Sequence, residues 1–372
     1  MSAADLRRKV CTFPNRVVEP EHERVVHRLL AERLARLTGT SFAGDYSVDR
    51  VPAQGAYLVP SATLVGLDEA ARVGVTSERD LFGGVVPHAF IATKAITHPL
   101  VDPQARAPLG WSTAFGERVE GSVLEGYSAF SMADAEQAGR RLLAGGALRV
   151  KPVNATAGRG QVRIDNETAL IQALHAIDSE EVEKCGLVLE RHLEQVATIS
   201  VGQVRIGERV ISYHGTQRLT TDNSGEQVYG GSDLWVVQGG FEDLLALDLS
   251  ESVRLAVEQA RCYDEAASGC YPGFFASRRN YDVACGVTPK GRRCSGVLEQ
   301  SWRIGGASSA EIFALEMLGR PGGPERLCAS SVEIYGEGAL LPDGATVLYQ
   351  GQDAHVGPIS KCVTLEDYGD PV

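Results

Sequence analysis

The chain has 372 residues, of which 44% are hydrophobic and 23% charged, and a formal net charge of −12. At about 150 residues per domain this length predicts two or three structural units, and the composition is that of a globular protein. The acidic balance excludes general nucleic-acid binding, which needs a concentrated basic surface. No run approaches 18 apolar residues and the start lacks an apolar signal core, so we predict no membrane association and a cytoplasmic location.

The first 90 residues predict an α/β unit. Apolar side chains recur at helical spacing over residues 20–37, which indicates an amphipathic helix. Residues 56–60 (AYLVP) are typical of a short buried strand, and residues 67–73 of a short helix after it. This alternation favours an open sheet for residues 1–90, a portion with no chemical motif of its own.

The central part predicts a compact α+β unit that resembles a lid. A helix containing Lys94 is expected over residues 91–97, and Ser131 is a good N-cap for a helix that continues to residue 143. The elements expected after it are strands at 148–153 and 160–164 around a glycine-containing turn, a helix at 166–176 and a strand at 186–189.

The remainder predicts strands alternating with helices. The expected elements are strands at 196–206 and 208–214, a polar loop at 218–232, a helix at 251–262, a strand pair at 280–286 and 296–303, a helix at 308–318 and two strands near the C-terminus. The eight cysteines show no C-x-x-C pair and no zinc spacing, so reduced thiols are expected, without a disulfide between Cys285 and Cys294.

Lys151 is a cation inside an otherwise apolar strand, LRVKPV. A lysine there is costly unless its ammonium reaches an anion, such as a ligand phosphate, or water. The alternative is a strand-edge lysine that extends into solvent, which Pro152 favours. In the turn at 154–160, Gly158 and Gly160 allow backbone N–H groups to approach phosphate oxygens. The turn matches neither a P-loop nor a dinucleotide-binding fingerprint.

A second group of polar residues lies on the predicted strand pair near residue 290. Glu299, Ser301 and Arg303 occupy alternate positions, so they share one face of a strand. Asp282 on the partner strand would bring a second carboxylate close to Glu299, which is repulsive unless a cation such as magnesium lies between them. The alternatives are a solvated pair of acids, and a surface salt bridge for Arg303, whose guanidinium otherwise suits a phosphate or carboxylate.

The order of these segments, with VLERHLE at 188–194 between them, resembles the ATP-grasp superfamily of ATP-dependent ligases over roughly residues 90–320. Within it the chain is similar to an uncharacterised bacterial branch, a family of unknown function. The resemblance implies an α+β / α/β fold with an N-terminal α/β subdomain (1–90), a central subdomain with a mobile ATP lid (91–187) and a C-terminal ATP- and metal-binding catalytic subdomain (188–372). It also implies ATP and Mg²⁺ as cofactors.

The same resemblance implies roles for individual residues. Those matching the nucleotide-binding positions are Lys94, Lys151, Gly158, Arg159, Gly160, Glu190, Arg191, His192 and Leu193. Asp282, Glu299 and Ser301 match the metal ligands, and Arg303 matches the basic residue that steadies the transferred group. Ser301 departs from the family, which usually has asparagine there, although a hydroxyl still ligates magnesium. For His192 the alternative is a solvent-facing side chain.

The activity implied by the resemblance is ADP-forming ligation. ATP would activate a small-molecule carboxylate as an acylphosphate, which an amine or similar nucleophile attacks, with the protein supplying positioning and charge neutralisation. Two alternatives stay open, a small-molecule kinase on the same fold and a nucleotide-binding module without turnover. The expected partners are small molecules, and a homodimer is left open.

Overall fold

The computed structural model describes residues 8–154 and 160–368. It begins with a parallel three-stranded sheet of order β2-β1-β3, formed by β1 (Lys9–Phe13), β2 (Phe42–Asp45) and β3 (Ala56–Pro60). Helix α1 (Glu21–Thr38) crosses between the first two strands and buries the apolar stripe that the sequence predicts. It ends at Gly39, whose φ of 70° is the left-handed conformation that glycine adopts without strain.

The N-terminal unit continues through β4 (Leu64–Val65), α2 (Leu67–Arg72) and β5 (Gly84–Val86), with β4 and β5 parallel. The helix predicted over residues 91–97 is instead two short 3-10 turns, Ala89–Ala92 and Lys94–Ile96. The interruption is Thr93, whose backbone is extended and whose hydroxyl caps the second turn by accepting the N–H of Ala95.

The central part is an antiparallel four-stranded sheet of order β6-β9-β7-β8. Its elements, after α3 (Thr113–Arg118), are β6 (Gly126–Ala129), α4 (Met132–Leu143), β7 (Leu148–Pro152), β8 (Val162–Ile164), α5 (Glu167–His175), α6 (Ser179–Cys185) and β9 (Leu187–Arg191). Ser131 caps α4 as predicted, since its hydroxyl accepts the N–H of Asp134. Strand β6 and helix α6 are additions to the predicted elements.

The C-terminal part is an antiparallel sheet of eight strands in the order β15-β14-β10-β11-β12-β16-β18-β17. Its elements are β10 (Glu194–Ile206), β11 (Arg209–Thr221), β12 (Gln227–Gln238), α7 (Phe241–Leu245), α8 (Glu251–Cys270), β13 (Phe275–Ala276), β14 (Arg278–Val287), β15 (Arg293–Ser301), α9 (Ser308–Leu318), β16 (Arg326–Tyr335), β17 (Thr346–Asp353) and β18 (Gly357–Asp367). Strand β13 is not part of this sheet and pairs instead with β5 of the N-terminal unit.

The large sheet is covered on both faces. On one face α8 packs over Tyr281 and Val283 of β14. On the other face α1 and α9 pack together over residues such as Ile211 and Leu234. Successive residues of a strand alternate between these faces. Asn280 and Asp282 therefore lie on the face that carries α9, opposite to Tyr281.

The polar loop predicted over residues 218–232 is wrong. Most of it belongs to β11 and β12, which form a hairpin around a tight turn at residues 222–226. Asp222 closes that turn by accepting the N–H groups of Ser224 and Glu226. The hairpin extends beyond the core, and residues 216–219 are exposed on both faces. Without a buried face the strand has no apolar alternation, so its sequence resembles a loop.

All eight cysteines are free thiols. Cys285 pairs in register with Ser295 and Cys294 with Gly286, so the two cysteines are not opposite each other in the β14–β15 hairpin. Within residues 8–154 and 160–368, no helix has the length and apolar character needed to cross a membrane.

Candidate active site

The two predicted metal-binding acids lie directly opposite each other. Strands β14 and β15 form the expected hairpin, in which Asp282 pairs in register with Glu299. A bulge follows, because Val283 then pairs with Val297. Asp282 accepts hydrogen bonds from Ser200 Oγ at 3.0 Å and Gln217 Nε2 at 2.8 Å. Burial, and secondly the neighbouring charge of Glu299, raise the pKa of Asp282 to about 6.

Lys94 lies beside this acidic pair, with its Nζ 2.8 Å from Glu299 Oε2. Its 3-10 turn is held against β15 by Gln300, whose side-chain amide donates to the carbonyl oxygens of Ile91 and Thr93, each at 2.8 Å. The strand alternation directs Gln300 and Glu299 to opposite faces, so one residue fixes the segment while the next meets its lysine. The structure thus brings Lys94 to the predicted metal-binding acids.

Lys151 and Glu190 form a buried ion pair in the central sheet. Glu190 on β9 is opposite Arg149 on β7, and Lys151 two positions further shares that face. Lys151 is 5% exposed and its Nζ contacts Glu190 Oε1, so the alternative of a strand-edge lysine in solvent is wrong. His98 Nε2 lies 3.2 Å from the other carboxylate oxygen of Glu190. Burial opposes ionisation of Glu190, but Lys151 and His98 outweigh it and lower its pKa to about 2.

One short segment joins the two charged clusters. Lys94 and His98 are four residues apart, and they contact Glu299 of the large sheet and Glu190 of the central sheet. The residues between them are buried in the main core. The arrangement of the central sheet relative to the large sheet is therefore fixed at the place where the predicted site residues meet.

Arg191 is used structurally. Its guanidinium donates to the Glu125 carboxylate at 2.8 and 3.1 Å and to the carbonyl oxygens of Leu142 at 2.7 Å and Gly146 at 2.9 Å. These bonds tie the end of β9 to the segment between α4 and β7. Its side chain is thereby committed to protein partners, and its backbone N–H donates to the carbonyl oxygen of Glu125 at 2.8 Å.

His192 and Leu193 are both buried, at 5% and 4% exposed, so the alternative of a solvent-facing His192 is wrong. His192 Nδ1 accepts a hydrogen bond from Arg149 Nε at 3.1 Å. Burial and the positive charge of Arg149 lower the pKa of His192, which keeps the ring neutral and able to accept. The backbone N–H of His192 donates to Ala147. The hydrogen bonds of the described residues include none from the N–H of Leu193.

The alternation predicts that Arg303 shares the strand face of Glu299, and this is wrong. Strand β15 ends at Ser301, before Arg303. The cause is Arg278 on β14. Its Nη1 donates to the carbonyl oxygens of Ser301 at 3.1 Å and Arg303 at 2.9 Å, and also to Ser301 Oγ at 3.1 Å. The rest of its guanidinium donates to both carboxylate oxygens of Glu311 on α9.

Arg303 lies near two other arginines. Burial, followed by the positive charges of Arg16 and Arg278, lowers the pKa of its guanidinium. Its Nη1 donates to the carbonyl oxygen of Ile304 at 2.8 Å, and within the described ranges no carboxylate oxygen lies within 4 Å of its nitrogens. Arg16 is paired with Glu23 and Arg278 with Glu311, so among these three arginines the guanidinium of Arg303 is the one suited to an anionic ligand.

Arg16 reaches this region from the loop after β1. Ser61 holds that loop, because its Oγ accepts the N–H groups of Asn15 at 3.0 Å and Arg16 at 3.1 Å. Thr63 Oγ1 donates to the carbonyl oxygen of Trp302 at 3.2 Å. The carboxyl ends of the N-terminal parallel strands therefore adjoin the segment that carries Arg303, and such strand ends commonly bind ligands.

Three of the predicted nucleotide-binding residues belong to the turn between β7 and β8. Gly160 is exposed with a φ of 67°. Gly158 and Arg159 lie outside the described residues, as does most of the proposed phosphate-covering loop.

Sequence reasoning missed several polar residues of the site, namely His98, Ser200, Tyr213, Gln217, Arg278, Asn280 and Glu311. The period of two in β14 offered a signal for Arg278 and Asn280, which precede Asp282 at intervals of two on the same face. The others come from elements far away in the chain, and no local pattern marks them.

Solved structures from three bacteria resemble the whole chain. The biotin carboxylase domain of 2-oxoglutarate carboxylase from Hydrogenobacter thermophilus is 13% identical with a TM-score of 0.53, covering 96% of this chain and 86% of that one. Phosphoribosylamine–glycine ligase from Thermotoga maritima is 13% identical, with a TM-score of 0.51 and coverages of 95% and 92%. N5-carboxyaminoimidazole synthetase from Staphylococcus aureus is 12% identical, with a TM-score of 0.52 and coverages of 98% and 94%.

These similarities define the class of the protein, which has the ATP-grasp fold that its sequence predicts. No curated protein sequence matches the chain. A family profile described as "Protein of unknown function (DUF3182)" matches residues 10–363. The chain belongs to this DUF3182 family, which confirms the expected placement in a branch of unknown function.

Proposed function

We propose that this protein is an ATP- and magnesium-dependent ligase that activates a small-molecule carboxylate as an acylphosphate for attack by an amine or similar nucleophile. The observation that carries the proposal is the register pair of Asp282 and Glu299, with the ammonium of Lys94 2.8 Å from Glu299. Two opposed acids beside a lysine are an expected arrangement for a metal-bound polyphosphate. The ATP-grasp fold supports the same proposal, because solved ligases share it.

The donor set fits magnesium. Asp282 and Glu299 offer hard carboxylate oxygens, and magnesium is commonly held by one or two carboxylates together with substrate phosphates. The pKa of Asp282 is raised to about 6 by burial and by Glu299, a repulsion that a divalent cation between the two carboxylates relieves. Magnesium bound here would neutralise negative charge on the phosphates. The MgADP complex of the Hydrogenobacter carboxylase domain and the ADP complex of the Staphylococcus synthetase support these ligands.

The nucleotide would lie between the central and large sheets. The N–H groups of Arg191 and His192 already donate to carbonyl oxygens of Glu125 and Ala147, so we assign the base contact to the N–H of Leu193. Lys151, held in place by Glu190, would meet the phosphates with one of its remaining ammonium protons. Lys94 would balance the phosphate charge nearest to Glu299.

The proposed reaction has two steps. A carboxylate oxygen of the substrate attacks the terminal phosphorus of ATP, the bond from phosphorus to the bridging oxygen breaks, and ADP leaves with that electron pair. The nucleophile then attacks the acyl carbon of the acylphosphate, loses a proton and displaces inorganic phosphate. Arg303 would hold the substrate carboxylate and its phosphorylated form, because its guanidinium has no carboxylate within 4 Å among the described residues and complements a developing negative charge.

We propose a subdomain division that follows from this function. Residues 1–90 would supply part of the acceptor site through the loops around Arg16, residues 91–187 would carry the ATP lid, and residues 188–372 would hold ATP and metal. His98 and Lys94 contact Glu190 and Glu299 on the two sides of this division, which supports a subdomain boundary close to residue 188.

A second candidate, a nucleotide-binding module without turnover, is favoured by one observation. Ser301 stands where the family usually has asparagine, and its hydroxyl oxygen already accepts a hydrogen bond from Arg278 at 3.1 Å. A site with one weakened ligand position could retain nucleotide binding and lose catalysis. A small-molecule kinase on the same fold is the remaining alternative and differs in its product.

Calorimetric titration of the full chain with ADP, in magnesium and in EDTA, tests the binding step. We expect magnesium-dependent binding, and its absence in a folded protein would contradict every nucleotide-based function. ADP release from ATP with pools of carboxylates and amines tests turnover. Release of ADP and phosphate only with both cosubstrates supports the ligase, a stable phosphorylated acceptor supports the kinase, and binding without turnover in any pool supports the module.

A further inference from the structure

Four polar side chains share one face at the end of the β14–β15 hairpin. Asn280 pairs in register with Ser301, and Asp282 with Glu299, without a bulge between the two pairs. Residues paired across antiparallel strands have Cβ atoms about 4.5–5.5 Å apart. The proposed metal-binding acids are therefore followed by a second cross-strand pair, and that pair contains a carboxamide on β14.

The orientation of the Asn280 amide is set by a chain of buried hydrogen bonds. Tyr213 Oη donates to Glu311 Oε1 at 2.5 Å, so its only proton is used. The same oxygen lies 3.2 Å from the side-chain amide of Asn280, and it can only accept there. The nitrogen of Asn280 must therefore face Tyr213. Its Oδ1 is left on the other branch of the amide.

Arg278 holds the carboxylate of Glu311 in position. The two side chains are 2% and 0% exposed, and the guanidinium binds both carboxylate oxygens. A carboxylate bound to a guanidinium in this way has no proton to donate to Tyr213, so it accepts the phenolic proton at 2.5 Å. The direction of each hydrogen bond, from Asn280 to Tyr213 to Glu311, follows from these charges.

Gly202 makes this chain of hydrogen bonds possible. It lies on β10 between Tyr213 of β11 and Asn280 of β14, paired with both. A Cβ atom added to Gly202 would lie 2.2 Å from Tyr213 Oη, so only glycine allows the ring to cross the strand. Three strands thus contribute to the orientation of a single amide.

Ser301 on β15 is less suited to bind a cation. Its Oγ accepts a proton from the guanidinium of Arg278 at 3.1 Å, so one lone pair is already used and a positive charge is adjacent. By contrast, the hydrogen bonds of the described residues include none to Asn280 Oδ1. A neutral amide oxygen is a ligand that hard divalent cations accept.

We infer that Asn280 supplies the neutral oxygen ligand, through its Oδ1, for the divalent cation held by Asp282 and Glu299. The inference rests on the proposed function, because it concerns the same metal. It assigns to β14 the carboxamide that the resemblance placed on β15, and it removes the need for Ser301 to act as a ligand.

Mn²⁺ binding to the full chain in the presence of ADP, measured by electron paramagnetic resonance, tests this assignment without depending on turnover. We expect Asn280→Ala to raise the Mn²⁺ dissociation constant at least tenfold while ADP affinity in EDTA changes less than twofold. Ser301→Ala should have the smaller effect. The exchanged variant, Asn280→Ser with Ser301→Asn, should recover affinity to within about threefold, because a carboxamide returns to the same pair of positions.

Asn223→Ala is the matched control, since this asparagine lies in the β11–β12 turn and donates to carbonyl oxygens of Val356 and Pro358. Should Asn280→Ala fail to fold, the exchanged variant decides, and lost affinity there overturns the inference. Wild-type affinity in folded Asn280→Ala also overturns it and leaves the proposed function intact. Absence of Mn²⁺-ADP binding to the wild-type chain overturns both.

Discussion

At the scale of single residues, substitution of Glu299 distinguishes a metal-binding role from a structural ion pair. It contacts Lys94, pairs with Asp282 and is 38% exposed, so its loss should disturb packing little. We expect Glu299→Gln to abolish the magnesium dependence of nucleotide binding while the melting temperature stays within a few degrees of wild type. Asp282→Asn should do the same.

Titration calorimetry with and without magnesium measures the effect, and circular dichroism verifies the fold. Glu167→Gln serves as the control, because Glu167 forms an exposed pair with Arg140. Unfolding of the Glu299 and Asp282 variants would instead show that the acids support the hairpin.

Lys151 shows how burial changes the expectation for a residue. From sequence a lysine in a ligand site is dispensable for stability, but its ammonium is the main charge that keeps buried Glu190 ionised. We expect Lys151→Ala to lower the free energy of unfolding by about 3 kcal/mol, as expected for an uncompensated buried charge. It should weaken nucleotide binding as well.

The paired variant Lys151→Met with Glu190→Gln separates these effects. It removes the charge along with its partner, so most of the stability should return while nucleotide affinity stays low. Urea denaturation gives the first quantity and titration the second. Wild-type stability in Lys151→Ala would mean that His98 alone suffices for Glu190.

At the scale of elements, the Arg278–Glu311 pair joins β14 to α9 and supports the segment after β15. Breaking it by Glu311→Leu should cost about 3–5 kcal/mol, because Arg278 would remain buried without a counter-charge. Arg278→Met with Glu311→Leu should regain stability. In this double variant nucleotide binding should stay weak, because without Arg278 the carbonyl oxygens of Ser301 and Arg303 lose their hydrogen-bond donor. Urea denaturation and calorimetry on both variants measure this, and equal stability of the single variant would contradict it.

Most elements could be predicted from local pattern, with informative exceptions. Helix α1 and strand β3 were predicted to within a residue, because a periodic apolar face and a short buried run are local properties. The strand predicted at 208–214 lies within β11, but residues 218–232 were predicted as a loop, because the tip of the β11–β12 hairpin projects from the core. The helix near Lys94 is interrupted at Thr93, and the side chain of Gln300 on β15 donates a hydrogen bond to this segment. That contact comes from a distant part of the chain, so local pattern does not predict it.

At the scale of the whole molecule, buried histidines predict sensitivity to mild acid. Burial lowers the pKa of His22 and of His214 to about 4, from an ordinary value of 6.5. Between pH 6.5 and 4 these two histidines bind protons in the unfolded chain and not in the folded one, so their contribution to stability falls as pH decreases over this range. Asp282, with its raised pKa, offsets part of this loss. Urea denaturation at pH 7.5 and at pH 5 measures this loss.

His214→Phe should reduce the acid-dependent loss, because the ring stacks on Trp235 with centroids 5.5 Å apart and phenylalanine can keep that contact. His175→Gln is the control, since His175 is exposed at the end of α5. A loss of the same size in His214→Phe as in the wild type would show that other groups govern the acid response.

The sequence by itself determined the ATP-grasp fold, the order of its segments and the identity of the charged residues, because strand periodicity and motif spacing are local. It placed Asp282 opposite Glu299 through a hairpin that short-range pairing specifies. Only the tertiary structure decided which charges neutralise one another. The ion pair of Lys151 with Glu190 and the bonds that orient Asn280 join elements distant in the chain, and burial gives those contacts their strength.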